Sequence, residues 1–148
     1  METNPIIYAF YDQNPQFYNF HFKVTNPEKT NLDGYKVELL LKWKYGLDDI
    51  VWQNWFTSSG NLIFTAEPTD VEDIFKFTIT FGHGTTASQY ESETNCYTHE
   101  ATFGIRTQNY IALDKEGSPS LLDENGKMIQ KYQYDIFPNI SLIAPTAE

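Results

Sequence analysis

The stretch "DDIVWQNWFTSSGN", Asp48 to Asn61, sets two tryptophans three residues apart in a segment that otherwise reads as a β-strand. Side chains alternate across a strand, so an odd spacing sends Trp52 and Trp55 to opposite faces. Ile50, Trp52, Asn54 and Phe56 form one parity class, and Val51, Gln53, Trp55 and Thr57 form the other. The first class is richer in large apolar groups. It predicts Trp52 in the core and Trp55 in water, beside polar Gln53 and Asn54 and a "TSSGN" turn. Large aromatics usually find cover, so an exposed Trp55 calls for a reason.

The same period of two runs through the rest of the chain. "QFYNFHFKVT" (16–25) places Tyr18, Phe20, Phe22 and Val24 on one face and Asn19, His21 and Lys23 on the other. "YKVELLLKWKY" (35–45) is the clearest strand, with Tyr35, Val37, Leu39, Leu41, Trp43 and Tyr45 on one face. "DIFKFTITFG" alternates Phe75, Phe77, Ile79 and Phe81 against Lys76, Thr78 and Thr80. "CYTHEATFGIRT" aligns Tyr97, His99, Ala101, Phe103 and Ile105. "PIIYAFYD", "DIVWQNWF", "NLIFTAE", "NYIAL", "KMIQKYQYD" and "NISLIA" complete the set, and "DENGK" carries Asn125-Gly126, the signal of a type I′ hairpin turn. No segment makes a convincing helix. About nine or ten strands with one polar face each imply antiparallel sheets half exposed to water. Packed face to face they make an all-β, antiparallel β-sandwich of jelly-roll-like type, with a closed barrel as the alternative.

The 148 residues fit one domain spanning 1–148, with the tail "APTAE" (144–148) reading as the start of a linker. Ten Lys and Arg face 20 Asp and Glu, for a formal charge of −10. That field repels phosphate backbones and anionic membrane surfaces, so nucleic-acid and membrane partners are set aside. Cys96 is the one cysteine, which rules out an internal disulfide. No run approaches the roughly 18 apolar residues of a membrane span, and the first residues lack the basic start and apolar stretch of a signal peptide.

Chemistry-bearing motifs are sparse. Cys96 and His99 have a C-x-x-H spacing, with His83 upstream, but a structural zinc site needs a second pair of ligands. By parity His99 is a hydrogen-bonded sheet histidine. "DENG" is a fragment of an EF-hand loop without its downstream Glu, and the turn reading wins. An irregular calcium site built from Asp48, Asp49 or Asp70 stays open with no motif behind it, and no other cofactor is indicated. There is no G-x-S-x-G elbow, P-loop, H-E-x-x-H or nucleotide fingerprint. Glu91 and Glu93 would share a strand face, but they lie in the polar run "SQYESETN" and read as solvated. The chain is therefore expected not to be an enzyme.

Aromatic rings in water suit sugars. A pyranose offers C–H groups on one face and hydroxyls at its rim. A ring stacked on that face removes apolar area from water, while amides and Arg take the hydroxyls. Trp55, Asn54, Gln53, Tyr90, Arg106 and Tyr110 make such a set if the fold gathers them.

The order of these features resembles family 3 carbohydrate-binding modules, and more loosely family 2. "FHFKVTNPEKTNLDGYKVELLLKWKYGLDDIVWQNW" supplies it: Val24-Thr25-Asn26, then Leu32, then the Tyr35–Tyr45 strand, then "VWQNW" in place of a motif of the kind F-W-C-D-W. "FKFTITFGHGT" and "FGIRTQNY" continue the pattern, which covers roughly residues 5–110. The resemblance implies a β-sandwich that binds cellulose or related plant cell-wall β-glucans without catalysis. It implies that Trp52 is the motif's buried Trp, Asn54 stands at its acidic position, Trp55 is the strip's aromatic, Arg106 its Arg and Tyr110 its second aromatic. Asn54 in place of Asp removes a charge-assisted pair with Arg106, and no Trp follows residue 55, where the family usually has one late in the chain. A secreted, monomeric module of a larger multidomain enzyme, with a polysaccharide partner, is the expectation, with a cytosolic protein as the alternative. The rival readings are a structural or adhesin-like sandwich that binds a protein, and a small carrier or enzyme with a deep cavity.

Overall fold

The computed structural model describes residues 5–12, 14–129, 137 and 139–145. Among them are eleven strands: β1 (Ile6–Asp12), β2 (Tyr18–Asn26), β3 (Thr30–Asn31), β4 (Lys36–Lys42), β5 (Val51–Thr57), β6 (Leu62–Pro68), β7 (Ile74–Phe81), β8 (Thr86–Ala87), β9 (Gln89–Glu91), β10 (Cys96–Arg106) and β11 (Leu142–Ile143). The helical content of the described residues is two single 3-10 turns, Leu47–Asp49 and Pro119–Leu121. One sheet has the order β1-β2-β10-β5, with β9 also on β10; the other runs β11-β4-β7-β6; β3 and β8 pair separately. Every pairing is antiparallel.

Strict alternation explains why two sheets form and why they stack. On β2 the residues at 18, 20, 22, 24 and 26 are buried and those between are not. The inward rows of Phe20, Phe22, Ala101, Phe103 and Ile105 meet those of Val37, Leu39, Leu41, Phe77, Ile79 and Phe81. Each of the larger side chains among them, withdrawn from water, contributes roughly 1.5–3 kcal/mol. Trp52 on β5 stacks on Phe64 of β6, with centroids 4.1 Å apart, and so ties the rims of the two sheets together. Those rims belong to separate sheets, which makes the architecture a sandwich and not a barrel. Trp43 is fully buried, as its parity predicts, and its indole N–H donates to the Gly46 carbonyl at 2.9 Å.

The open edge of β4 is closed by side chains. β11 covers Lys36 and Val37. Further along, the Leu40 and Lys42 N–H groups donate to Ser120 Oγ (2.7 Å) and Ser118 Oγ (2.9 Å). Buried backbone donors left unpaired would be costly, and these two serines, both buried, meet that need.

"NYIAL" is not a strand: residues 109–113 form a turn and loop, and Tyr110 holds a positive φ of 57°. A left-handed residue breaks the alternation a strand requires. The Asn125-Gly126 turn is not type I′, because only Gly126 has positive φ (79°). Asp123 Oδ1 accepts the N–H groups of Asn125 and Lys127, and Gly126 N–H donates to Asp123 O, which makes a type I turn ending on a left-handed glycine. The strand expected over 127–135 falls mostly outside the described residues, with Met128 bridged to Leu122 at its start.

Candidate functional site

β10 carries the geometry of the exposed face. Its inward residues are Ala101, Phe103 and Ile105, so Glu100, Thr102, Gly104 and Arg106 face out. β5 lies alongside in the register Val51↔Arg106, Trp52↔Ile105, Gln53↔Gly104 and Asn54↔Phe103. The register then slips, and the next pair is Phe56↔Thr102. Trp55 is the extra residue of a β-bulge, and bulges re-aim side chains. Trp55 turns out over Gly104, and Phe56 is flipped outward beside it. Sequence parity places Phe56 with Trp52 on the inner face; the bulge overturns that, and Phe56 is 52% exposed. Trp52 does point inward but is half-buried.

Gly104 is what lets the indole lie down. A Cβ at residue 104 would stand 2.6 Å from Trp55 Cη2, 2.8 Å from Asn19 Oδ1 and 3.1 Å from Phe17 Cδ2. Three rings then gather at this end of β10. Phe17 lies 5.6 Å from Trp55 at an interplanar angle of 49°, and 5.9 Å from Tyr110 at 61°. The Arg106 guanidinium sits 3.9 Å from the Tyr110 ring centroid. Its Nε donates to Gln53 Oε1 at 3.0 Å, and its Nη1 donates to the Thr107 and Gln108 carbonyls. Gln108 N–H in turn donates to Asp49 Oδ1 at 2.8 Å, so the loop under Tyr110 is tied to the segment that leads into β5. Trp55 is 48% exposed and Tyr110 45%.

Of the six residues marked by sequence, the fold brings together Trp55, Gln53, Arg106 and Tyr110. Asn54 is exposed, but its register partner is inward-facing Phe103, which sets it on the other side of the strand. Arg106 therefore pairs with Gln53, and the position expected to serve it does not. Tyr90 stands opposite Tyr97, nine residues from Arg106 along β10, roughly 30 Å away at strand rise. It packs on Tyr97 at 5.4 Å and donates its hydroxyl to Asn95 Oδ1. Phe17 and Phe56 belong to the cluster and were missed. Phe17 carried a signal, since it shares the outward parity of Asn19, His21 and Lys23.

The remaining candidates resolve simply. His99 is buried between the sheets, edge-on to Phe81, with Nδ1 3.4 Å from Ser59 Oγ, and burial holds its pKa below the ordinary value. Cys96 lies three residues away on the same strand, hence on the opposite face. Glu91 is bound to Lys23 at 2.6 Å, and that ammonium lowers its pKa. Among the described residues no three His, Cys, Asp or Glu side chains group as a metal site, and Asp49 uses one carboxylate oxygen on Gln108.

No family model and no curated protein matches the sequence. Solved structures do match the fold. A family 3b carbohydrate-binding module from the biomass sensoring system of Clostridium clariflavum superposes with a TM-score of 0.73 over 100% of this chain and 99% of its own, at 12% identity. A scaffoldin family 3b module from the cellulosome of Bacteroides cellulosolvens gives 0.68 over 100% and 98%, at 11% identity. The module of the cellulosomal cellobiohydrolase 9A of Clostridium thermocellum gives 0.64 over 95% and 91%, at 13% identity. In its described residues this chain has the β-sandwich fold of the family 3 carbohydrate-binding modules, the fold that the order of its sequence motifs implies.

Proposed function

We propose that this chain is a non-catalytic carbohydrate-binding module whose ligand is a β-glucan-type plant cell-wall polysaccharide, cellulose, xyloglucan or a relative. The observation that carries the reading is Trp55, nearly half exposed, laid over Gly104 and flanked by Phe17, Gln53, Arg106 and Tyr110. The rings supply stacking faces, and Gln53 and Arg106 supply the polar partners a sugar rim needs. From Tyr110 through Arg106, Gln53 and Trp55 to Phe56, these groups run lengthwise along β10, which suits an extended chain. The ring planes are inclined to one another by 49° and 61°. A flexible single chain follows inclined rings, whereas a flat crystal face does not, so soluble or amorphous glucan is the preferred form. The matched structures come from a sensing system, a scaffoldin and a cellobiohydrolase. Such settings favour reading this chain as one module of a larger extracellular protein, and we take it to act as a monomer.

Affinity electrophoresis in gels containing hydroxyethylcellulose, xyloglucan, glucomannan or xylan tests the reading. At least one β-glucan should retard the protein, and Trp55→Ala should run unretarded. Retardation by none of the four, or equal retardation of Trp55→Ala, sinks it.

A further inference from the structure

Lys115 is a half-buried titratable group outside the cluster of exposed rings. It sits on a loop (113–118) fastened to the body of the sandwich. Asp114 pairs with Lys42 (2.8 Å) and Lys44 (3.5 Å), its N–H donates to the Tyr45 hydroxyl, and Ser118 Oγ accepts from Lys42 N–H. From this fixed base the Lys115 ammonium donates to the carbonyls of Asn14 and Phe17, each at 2.5 Å, and lies about equally over the rings of Tyr11 (5.1 Å) and Tyr18 (5.2 Å). Leu113 N–H also donates to Pro15 O at 2.8 Å. The turn held in this way carries Phe17, the ring packed between Trp55 and Tyr110.

We propose that Lys115 is a positioning residue for the polysaccharide surface, its ammonium fixing the Asn14–Phe17 turn and through it the Phe17 ring that seats Trp55 and Tyr110. The inference rests on the carbohydrate-binding reading and adds a pH dependence to it. A charged donor holds two carbonyls more tightly than a neutral amine does. Burial lowers the Lys115 pKa to about 8. An open cleft of about 710 Å³, lined by Tyr11, Pro15, Lys115 and Met128 among others, gives solvent access for the proton. The Tyr11 and Tyr18 rings flank the ammonium, and Asp12 on β1 favours its protonated form. The loop's own Asp114 and Glu116 line the same cleft, Asp114 being paired with Lys42 and Lys44. Below about pH 8 the ammonium is present and the turn is held; as pH rises through that value the grip loosens and ligand affinity falls.

Calorimetric titration with cellohexaose between pH 6.5 and 9.5 tests this with the intact chain. Wild type should lose about three- to tenfold in affinity across pH 8, the difference between charge-assisted and neutral hydrogen bonds. Lys115→Met should be weaker at pH 7 by a similar factor and flat with pH. In a Phe17→Ala background Lys115→Met should add nothing, since both changes remove the same ring from its place. A pH-independent wild type overturns the inference without any variant having to fold. Additive effects of Lys115→Met and Phe17→Ala overturn it as well. If Trp55→Ala abolishes binding while Lys115→Met does not change it, this inference alone falls; if Trp55→Ala changes nothing, the sugar reading falls first.

Discussion

The two ends of β10 both present exposed tyrosines, yet they differ in kind. At the Arg106 end, five segments converge: β5 gives Trp55, Phe56 and Gln53, the turn before β2 gives Phe17, β2 gives Asn19, β10 gives Gly104 and Arg106, and the following loop gives Tyr110. At the Cys96 end, Tyr90 is more exposed than Trp55 or Tyr110, at 56%, but its neighbours are Tyr97, Asn95 and the Lys29 ammonium near Tyr97. Exposure is common on protein surfaces. Convergence of rings and rim donors from separate segments is what separates the first end from the second.

The largest effects divide along the two tryptophans and the two ends. Trp52→Ala removes the ring that bridges the sheets through Phe64, and it should cost about 2–4 kcal/mol of stability, below the full range for a large aromatic because Trp52 is half-buried. Urea unfolding followed by fluorescence reads this. Trp55→Ala should stay within about 0.5 kcal/mol of wild type in the same experiment and lose roughly 30-fold or more in β-glucan affinity, the behaviour of a central anchor. Tyr90→Ala should leave affinity unchanged. A Tyr90→Ala protein that binds as poorly as Trp55→Ala erases the distinction between the ends.

A smaller effect comes from Gly104, where the two rows of side chains need an empty position. Gly104→Ala sets a methyl group within 2.6 Å of the Trp55 ring and 2.8 Å of Asn19 Oδ1. The ring must lift or the strand must shift, at about 1–3 kcal/mol of strain. Affinity should fall about tenfold with the fold retained, and Trp55 fluorescence should move toward the solvent-exposed emission. Unchanged affinity would mean that the flat placement of Trp55 on β10 does not matter for binding.

How far the sequence carries the fold can be judged residue by residue. β2, β4, β7 and the inward row of β10 follow from alternation because one face of each is buried, and burial fixes register. The opposite facing of Trp52 and Trp55 was also legible. What alternation could not supply was the bulge, since an extra residue is set by the partner strand and leaves no mark in the local pattern. Phe56 took its place from it and went out instead of in. Gln53 lies ahead of the slip and faces out by simple alternation, and it holds the partnership with Arg106 expected of Asn54. Tyr110 was found from the motif but in the wrong setting, because a left-handed residue in a loop imitates the end of a strand. Tyr90 shows the limit of composition: its ring is exposed as expected, but the β9–β10 hairpin carries it away from the others.

Phe56 gives the finest test of the contrast, because its role depends wholly on the slip in register. Its partner is Thr102, one outward pair beyond Gly104, so its ring extends the row by about 6.6 Å past Trp55 on the side away from Tyr110. A chain lying along β10 meets it last. Phe56→Ala should therefore leave short oligosaccharides unaffected and remove about 0.5–1.5 kcal/mol from the longest, a stacking contact at one terminus. Affinities measured over cellotriose to cellohexaose separate the outcomes. A loss shared equally by all lengths would place Phe56 beside the ligand's centre and turn the chain across the strands. No loss at any length would mean that the bulge exists to present Trp55 alone.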